Sequence, residues 1–257
     1  MLVFIVPLIS PQASNDWQRV SRLARRTLHS ILNQTHGDFR VLLVCNEPPP
    51  NLPVHSALSL VQCDLPVPTD RESKMVDKGL KVHLGLIAAR FLAPCHFMLV
   101  DADDLVSNRL AAHCAAHPMD FGWYFDRGWM HDEYSRLAFR CRKNFNLVCG
   151  TSNIVHLERT DLPIDEKKSS TEKLVFGFGH HKIRSNMEAL GRPLKPLPFI
   201  GSVYIVGTGE NWTSFSLRGW RSKKVFLRKL LNYRFVTGGM RRDFGLWPLS
   251  EYEHYTM

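Results

Sequence analysis

The chain has 257 residues, of which 44% are hydrophobic and 22% charged, a composition typical of a globular protein and not of a disordered one. The formal net charge of +9 is local, because residues 218–242 carry nine basic side chains and no acidic one, and the remaining 24 basic residues equal the 24 acidic ones. The six cysteines include no C-x-x-C pair, which argues against a zinc ribbon or a disulfide scaffold and favours a reducing compartment.

The first 45 residues predict a βαβ unit. The apolar run 2–9 favours a strand buried on both faces over a signal peptide, since it contains Pro7 and no basic residue precedes it. Apolar residues at helical spacing from Trp17 predict a helix with Asp16 as its N-cap, ending between residues 33 and 37. A second apolar run at 40–45 predicts a strand parallel to the first.

The rest of the chain continues the α/β pattern. The further predicted elements are a strand at Leu58–Gln62, a helix at 75–91, a strand at 96–100, a helix at 105–116, a strand at 147–156, a helix at 180–190, a strand at Ser202–Val206 and a basic amphipathic helix at 222–231. Aromatic residues and glycine dominate from residue 121 onward, which predicts shorter, mixed strands built onto the sheet. No stretch approaches the roughly 18–20 apolar residues that a membrane span needs.

The predicted helix at 75–91 has two contrasting faces. Lys74, Lys78 and Lys81 share one side, at helical spacings of four and three residues. The opposite side is apolar and is predicted to face the core: Val76, Leu80, Leu84 and Ile87. A solvated basic face explains each lysine taken alone, whereas beside a nucleotide site one or two of them, Lys78 and Lys81 first, are expected to contact phosphate.

Four acidic-turn residues, 101–104 (DADD), directly follow the predicted strand at 96–100. The carboxyl edge of a parallel sheet is where open α/β folds bind ligands, and carboxylates crowded this closely repel one another unless a cation sits among them. Asp101 and Asp103 can converge on Mg²⁺ or Mn²⁺ with positions left open for phosphate oxygens. The alternative is an acidic turn in which Asp104 caps the next helix. The buried strand before the turn favours the metal site.

At this point the sequence resembles a glycosyltransferase of the GT-A fold, close to family 2, from Val3 to about Trp212. The resemblance is carried by the apolar first strand with Pro7, a helix end with Ser30, Gln34 and Thr35 similar to the family's S-x-x-x-Q-T, the strand ending in Asn46 and Glu47, the basic helix and the D-x-D of Asp101 and Asp103. It implies a Rossmann-like α/β domain at 1–217, with a nucleotide-sugar half at about 1–116 and an acceptor half at about 117–217. A basic extension follows at 218–257.

The resemblance also implies roles for individual residues. Pro7, Leu8 and Ile9 would cradle the nucleotide base, Glu47 would face uracil or ribose, Lys78 and Lys81 would contact the diphosphate, Asp101 with Ala102 would face ribose or metal, and Asp103 would bind Mn²⁺ or Mg²⁺. The expected reaction moves a sugar from a nucleoside-diphosphate sugar, with a UDP-sugar favoured, to a glycan or lipid-linked acceptor.

The catalytic base is where the sequence departs from the family. Histidines, His180 and His181, stand where an acidic pair is usual. Either could act as general base, and His180 could instead complete the metal site. Weaker alternatives for the base are Asp161, Asp165 and Glu166.

Several residues of the second half are candidates for acceptor binding. Trp123 and Trp129 could stack on sugar rings, although core packing is the favoured interpretation of each one taken alone. Thr151 and Ser152 are small and polar within an apolar segment, which suggests the close approach of a ligand.

Three interpretations compete for the basic residues 218–242. A nucleic-acid interface is not expected, since no other feature is typical of a nucleic-acid module. A packed amphipathic helix with a solvated basic side is the simplest interpretation. Docking on an anionic membrane surface is the third, and it would place a cytoplasmic enzyme at the inner face of the membrane.

Two other function classes remain open at this stage. A sugar nucleotidyltransferase would share the carboxylates after a strand, but it usually has a Gly-rich basic loop after its first strand, and residues 9–16 contain neither glycine nor a basic residue. A non-catalytic glycan-binding protein on a GT-A scaffold is the other, because histidines occupy the position of the base.

Overall fold

A computed structural model describes residues 1–133, 135–165, 175–176, 179–208 and 231–247. The predicted basic helix at 222–231, except for its last residue, and Glu166 lie outside these residues. The strands are β1 Leu2–Pro7, β2 Phe39–Cys45, β3 Leu58–Gln62, β4 Cys95–Leu99, β5 Leu105–Val106, β6 Gly122–Tyr124, β7 Gly128–Asp132, β8 Leu137–Cys141, β9 Asn153–Leu157, β10 Lys195–Pro196, β11 Ser202–Val206 and β12 Tyr233–Phe235. The α-helices are α1 Trp17–Leu32, α2 Arg71–Ala88, α3 Leu110–Ala116, α4 Ile183–Ala189 and α5 Gly238–Phe244.

Seven strands form the main sheet in the order β10-β6-β9-β4-β1-β2-β3. Strands β1 to β4 run parallel, while β9 is antiparallel to both of its neighbours. Alternate residues of β1 pack in opposite directions: Phe4 lies in one cluster with Leu28 of α1, and Ile5 lies in another with Leu86 of α2. Because helices cover both faces of the central strand β1, this strand is apolar at every position. The predicted α/β fold with a mostly parallel sheet between helices is confirmed.

Five strands form a second sheet in the order β12-β8-β7-β11-β5. The prediction of a single helix at 105–116 is wrong in its first part, because β5 pairs antiparallel with β11 and α3 begins only at Leu110. Leu105 and Val106 are fully buried, and the Val106 amide donates a hydrogen bond to the Ser30 hydroxyl at 2.9 Å. Strand β5 therefore connects the second sheet to α1, a role that its two apolar residues did not indicate.

Helix α2 begins earlier than predicted and turns a different face inward. Asp70 caps its first turn. Lys81 is fully buried, whereas Val76 is 41% exposed, so the prediction that Val76 faces the core is wrong. The first half of α2 lies beside a cavity. The second half packs on the sheet through Val82 and Leu86. The apolar stripe seen in the sequence is therefore not the buried stripe.

Two elements of the acceptor half begin later than predicted. The residues Phe145–Leu147 form a 3₁₀ turn, and the strand predicted at 147–156 starts only at Asn153. The helix predicted at 180–190 starts as the 3₁₀ turn His180–Lys182 and continues as α4. Gly191 then takes a left-handed φ of +70°, which ends the helix as the sequence indicated.

The segment 231–247 packs against the first helix. The Ser30 hydroxyl donates a hydrogen bond to the Phe244 carbonyl at 2.7 Å, and the Arg26 guanidinium donates to the Trp247 carbonyl at 3.1 Å. In its described part, the predicted extension at 218–257 therefore packs on the α/β body. Among the described residues, no helix is long and apolar enough to span a membrane.

Candidate active site

A cavity of about 290 Å³ opens at the carboxyl ends of β1 and β4. It is lined by Pro7, Leu8, Ile9, Val20, Leu23, Lys74, Met75, Asp77, Lys78, Lys81, Asp101, Ala102, Asp103, Val148, Gly150, His180 and Tyr204. The cavity brings together the loop after β1, the lysine face of α2, the acidic turn after β4 and the histidine before α4. These are four segments for which the sequence predicts ligand contacts.

The three carboxylates of the acidic turn have different environments. Asp104 is fully buried, and its Oδ1 accepts a hydrogen bond from the Ile205 amide of β11 at 3.0 Å. Burial, followed by the charges of Asp103 and Asp101, raises the pKa of Asp104 well above its usual value. Asp104 is therefore an anchor for β11, and the interpretation of this residue as a helix N-cap is wrong.

Asp101 and Asp103 line the cavity. Burial and then the charge of Asp101 raise the pKa of Asp103 to about 6, although the Thr208 hydroxyl donates a hydrogen bond to its Oδ2 at 3.2 Å. A raised carboxyl pKa means that the ionised form is poorly compensated, and a cation close to both carboxylates would relieve the repulsion.

Two lysines of α2 form ion pairs at the cavity. Lys78 Nζ donates to Asp101 Oδ1 at 2.5 Å, and Lys81 Nζ donates to Asp77 Oδ2 at 2.7 Å. The charge of Asp101, followed by those of Asp103 and Asp104, raises the pKa of Lys78 above its usual value, so that the amine is charged in this pair. Lys81 is completely buried, which excludes the interpretation of this lysine as part of a solvated face.

Gly150 permits the position of Asp101. A Cβ atom at residue 150 would lie 2.6 Å from Asp101 Oδ2, a distance that side-chain carbons do not adopt. The next residue, Thr151, accepts a hydrogen bond from the Asp101 amide through its Oγ1 at 2.9 Å. The close approach that the small residues of this segment suggested is therefore made by the Asp101 carboxylate. Thr151 and Ser152 are fully buried and bonded inside the protein.

Of the two candidate histidines, His180 reaches the cavity. Its Nε2 is buried and has no hydrogen-bond partner among the described residues. Burial lowers the pKa of His180 below its usual value, so the ring is neutral near pH 7. His181 is exposed, and its ring meets that of His180 edge-on with centroids 5.8 Å apart.

Besides Thr151, Ser152 and His181, three further predicted site residues do not line the cavity. The exposed Glu47 accepts a hydrogen bond from Gln12 Nε2 at 2.6 Å. Trp123 is only 2% exposed and packs against His96, with ring centroids 5.0 Å apart, which agrees with the core interpretation. Trp129 packs beside the apolar cluster between the second sheet and α5. Of the weaker alternatives for the base, Asp161 forms an ion pair with Arg192 at 2.6 Å.

Asp77 and Thr208 are site residues that the sequence analysis missed. Asp77 precedes Lys81 by four residues on α2, a spacing that could have indicated the ion pair. Thr208 follows β11, and nothing local connects it with Asp103, which lies 105 residues earlier.

The carboxylates of the cavity form a small donor set for the expected divalent cation. Within the described ranges, no three His, Cys, Asp or Glu side chains are grouped to hold a metal. Asp101 and Asp103 nevertheless offer hard oxygen atoms in one cavity, and burial followed by the charge of Asp101 disfavours the ionised form of Asp103, which a nearby cation would stabilise. Mg²⁺ is commonly bound by one or two carboxylates together with phosphate oxygens of a ligand. The residues therefore fit a cation that arrives with a phosphate.

Comparisons with known proteins add a likeness of fold. No model of a protein family matches the sequence, and no curated protein matches it. A solved structure of S. aureus TarS 1-349 is 15% identical with a TM-score of 0.46, over 79% of this chain and 60% of that one. A structure of S. aureus TarS is 12% identical with a TM-score of 0.39, over 80% of this chain and 36% of that one. The likeness concerns the fold alone. This chain spans less than two thirds of either solved chain.

Proposed function

We propose that the protein is a metal-dependent glycosyltransferase that moves a sugar from a nucleoside-diphosphate sugar, a UDP-sugar in the favoured case, to a glycan or lipid-linked acceptor. One observation carries the proposal: three aspartates, three lysines and a neutral histidine share a cavity with an apolar wall at the carboxyl edge of a parallel sheet. The nucleoside, the diphosphate and the cation that accompanies it each have matching groups in the cavity.

The apolar wall suits a nucleoside. Leu8 and Ile9 after β1 lie beside Val20 and Leu23 of α1, and a planar base can pack against such side chains. The lysine face of α2 lines the same cavity, so that a base on the apolar wall leaves the diphosphate within reach of Lys74 and Lys78. In this arrangement Asp101 and Asp103 hold the cation.

The chain's own groups also support chemistry at the sugar. A bound Mn²⁺ or Mg²⁺ would neutralise the charge that develops on the departing nucleoside diphosphate. Lys78 would bind the diphosphate, and His180 Nε2, which is neutral and without a partner in the described part of the chain, would accept the proton of the attacking hydroxyl.

The first prediction concerns Asp103 and nucleotide binding. Isothermal titration with UDP, GDP and dTDP is expected to show binding that depends on Mn²⁺, with UDP the tightest. Asp103→Asn is expected to abolish the dependence of binding on Mn²⁺, since it removes one of the two carboxylates, Asp101 and Asp103, that would hold the cation. Asp120→Asn is the control, because Asp120 forms a surface ion pair with Lys195 instead.

Two results would contradict the proposal. One is binding of all three nucleotides that is absent or independent of the metal, and the other is metal-dependent binding that survives in Asp103→Asn. Slow hydrolysis of the nucleotide sugar in the absence of an acceptor would indicate an enzyme and not a non-catalytic scaffold.

A further inference from the structure

The ion pair between Lys78 and Asp101 differs from the second ion pair of the cavity in exposure. The side chains of Lys78 and Asp101 are 45% and 26% exposed, whereas those of Lys81 and Asp77 are 0% and 7% exposed. Opening a buried pair leaves an uncompensated charge inside the protein, whereas the charges of a partly exposed pair remain in contact with water when the pair separates, which lowers the cost. Lys78 is therefore the lysine of this cavity that can leave its carboxylate.

The charges that line the cavity are balanced without any ligand. Three lysines (74, 78 and 81) stand against three aspartates (77, 101 and 103). A divalent cation that arrives alone meets a carboxylate whose charge Lys78 already compensates. A diphosphate that arrives alone adds negative charge next to Asp101 and Asp103. Only the two together keep the charge of the cavity balanced.

We propose that Lys78 is an internal cation that occupies Asp101 until a diphosphate draws it away, so that the divalent cation and the nucleotide bind cooperatively. The inference rests on the proposed function. Lys78 has a flexible stem and a compact charge, so one rotamer can serve Asp101 and another a phosphate. Because binding free energies are reciprocal, the nucleotide raises the affinity for the cation as much as the cation raises the affinity for the nucleotide.

The consequence is an effect of opposite sign on the two ligands. Without Lys78, Asp101 is free, so the cation alone binds more tightly, while the diphosphate loses a contact and binds more weakly. A lysine that only contacts phosphate would leave the affinity for the cation alone unchanged. The gain in cation affinity therefore distinguishes the two roles.

The experiment measures Mn²⁺ binding by electron paramagnetic resonance of free Mn²⁺, first without nucleotide and then with saturating UDP. Lys78→Gln is expected to bind Mn²⁺ at least about fivefold more tightly than the wild type without nucleotide, and to show a smaller enhancement by UDP. Lys78→Arg keeps the charge and is expected to stay near the wild type. Lys74→Gln removes a charge one turn earlier from the same cavity wall, but no ion pair with Asp101, and is expected to leave the affinity for Mn²⁺ without nucleotide near the wild-type value.

Each outcome decides between the inferences. An Mn²⁺ affinity of Lys78→Gln that is unchanged or weaker, while the wild type still binds Mn²⁺ with UDP, overturns the role of Lys78 and leaves the proposed function intact. An equal gain in Mn²⁺ affinity in Lys74→Gln overturns the role of Lys78 as well, because the gain would then follow from the net charge of the cavity and not from the Lys78–Asp101 pair. A wild type that binds neither Mn²⁺ nor UDP overturns the proposed function itself. Lys78→Met repeats the test if the glutamine variant does not fold.

Discussion

The residues 101–104 show how environment assigns different tasks to chemically equal groups. Asp104 is buried and accepts a hydrogen bond from the Ile205 amide, and Asp101 forms an ion pair with Lys78. Burial raises the pKa of Asp103 to about 6. The sequence of the tetrapeptide alone does not predict which of these carboxylates takes which role. The three roles differ because the partners differ: a backbone amide for Asp104, a lysine for Asp101 and a hydroxyl, that of Thr208, for Asp103.

The second prediction concerns His180 and pH. As a general base it must be neutral, and since burial lowers its pKa, activity is expected to persist below pH ~6.5, the ordinary pKa of histidine, and to fall as the pH drops further through the lowered value. His180→Gln is expected to lower kcat by about 10²- to 10⁴-fold and to remove this acid limb. The measurement is the pH profile of sugar transfer at saturating Mn²⁺, so that protonation of Asp103, whose pKa is about 6, does not add a second acid limb.

His181→Gln serves as the matched comparison, because the two histidines are adjacent but only His180 lines the cavity. A larger loss of kcat in His181→Gln than in His180→Gln would transfer the role of base to His181. A profile of His180→Gln that keeps the acid limb of the wild type would exclude His180 as the titrating base.

At the scale of elements, a buried ion pair joins α1 to the second sheet. Both nitrogens at the end of the Arg26 guanidinium donate to Glu133, just beyond β7, at 2.8 and 2.7 Å. The two side chains are 1% and 4% exposed, and Arg26 also donates to the Trp247 carbonyl. Three distant parts of the chain therefore meet at one guanidinium.

The third prediction follows from this burial. Glu133→Gln is expected to lower the free energy of unfolding by about 3–5 kcal/mol, because it leaves the Arg26 charge uncompensated inside the protein. Lys195→Gln, at an ion pair in which the lysine is 64% exposed, is expected to cost about 0–1 kcal/mol. Urea unfolding measures both, and equal losses in the two variants would contradict the assignment.

How far elements can be predicted depends on how many of their constraints are local. The N-cap of α1 at Asp16 and the bounds of Leu58–Gln62 and Ser202–Val206 agree with the sequence, since caps and apolar runs are local signals. The buried face of α2 could not be predicted, because Lys81 is stabilised inward by Asp77 while Val76 faces outward. Periodicity predicts that the apolar side of a helix is buried, whereas the side of α2 with Asp77 and Lys81 lines the cavity.

At the scale of the whole molecule, basic charge and exposed apolar side chains coincide near the C-terminus. Leu231 and Phe235 are 70% and 73% exposed, and Arg234 lies between them in β12. Most of residues 218–242 lies outside the described residues, so the predicted basic helix there stays a prediction. We propose that this region docks on an anionic membrane surface, which suits an acceptor that is linked to lipid.

The fourth prediction tests this docking in the full-length chain. Phe235→Ser is expected to reduce flotation with liposomes that contain anionic lipid, because it removes an exposed apolar side chain from the basic region. Phe91→Ser is the control, since Phe91 is also 73% exposed but lies at the other end of α2 from the site. Equal flotation of both variants and the wild type would contradict the docking.

The sequence by itself determined the α/β class, the parallel central strands and the place of the acidic turn at their carboxyl edge. These depend on runs of apolar residues and on caps, which act over a few neighbouring positions. Only the tertiary structure decided that Asp104 anchors β11, that Gly150 makes room for Asp101 and that His180 reaches the cavity. Each of these choices depends on contacts between residues that lie far apart in the chain, and the local pattern of a sequence carries no information about which distant backbone will supply the partner.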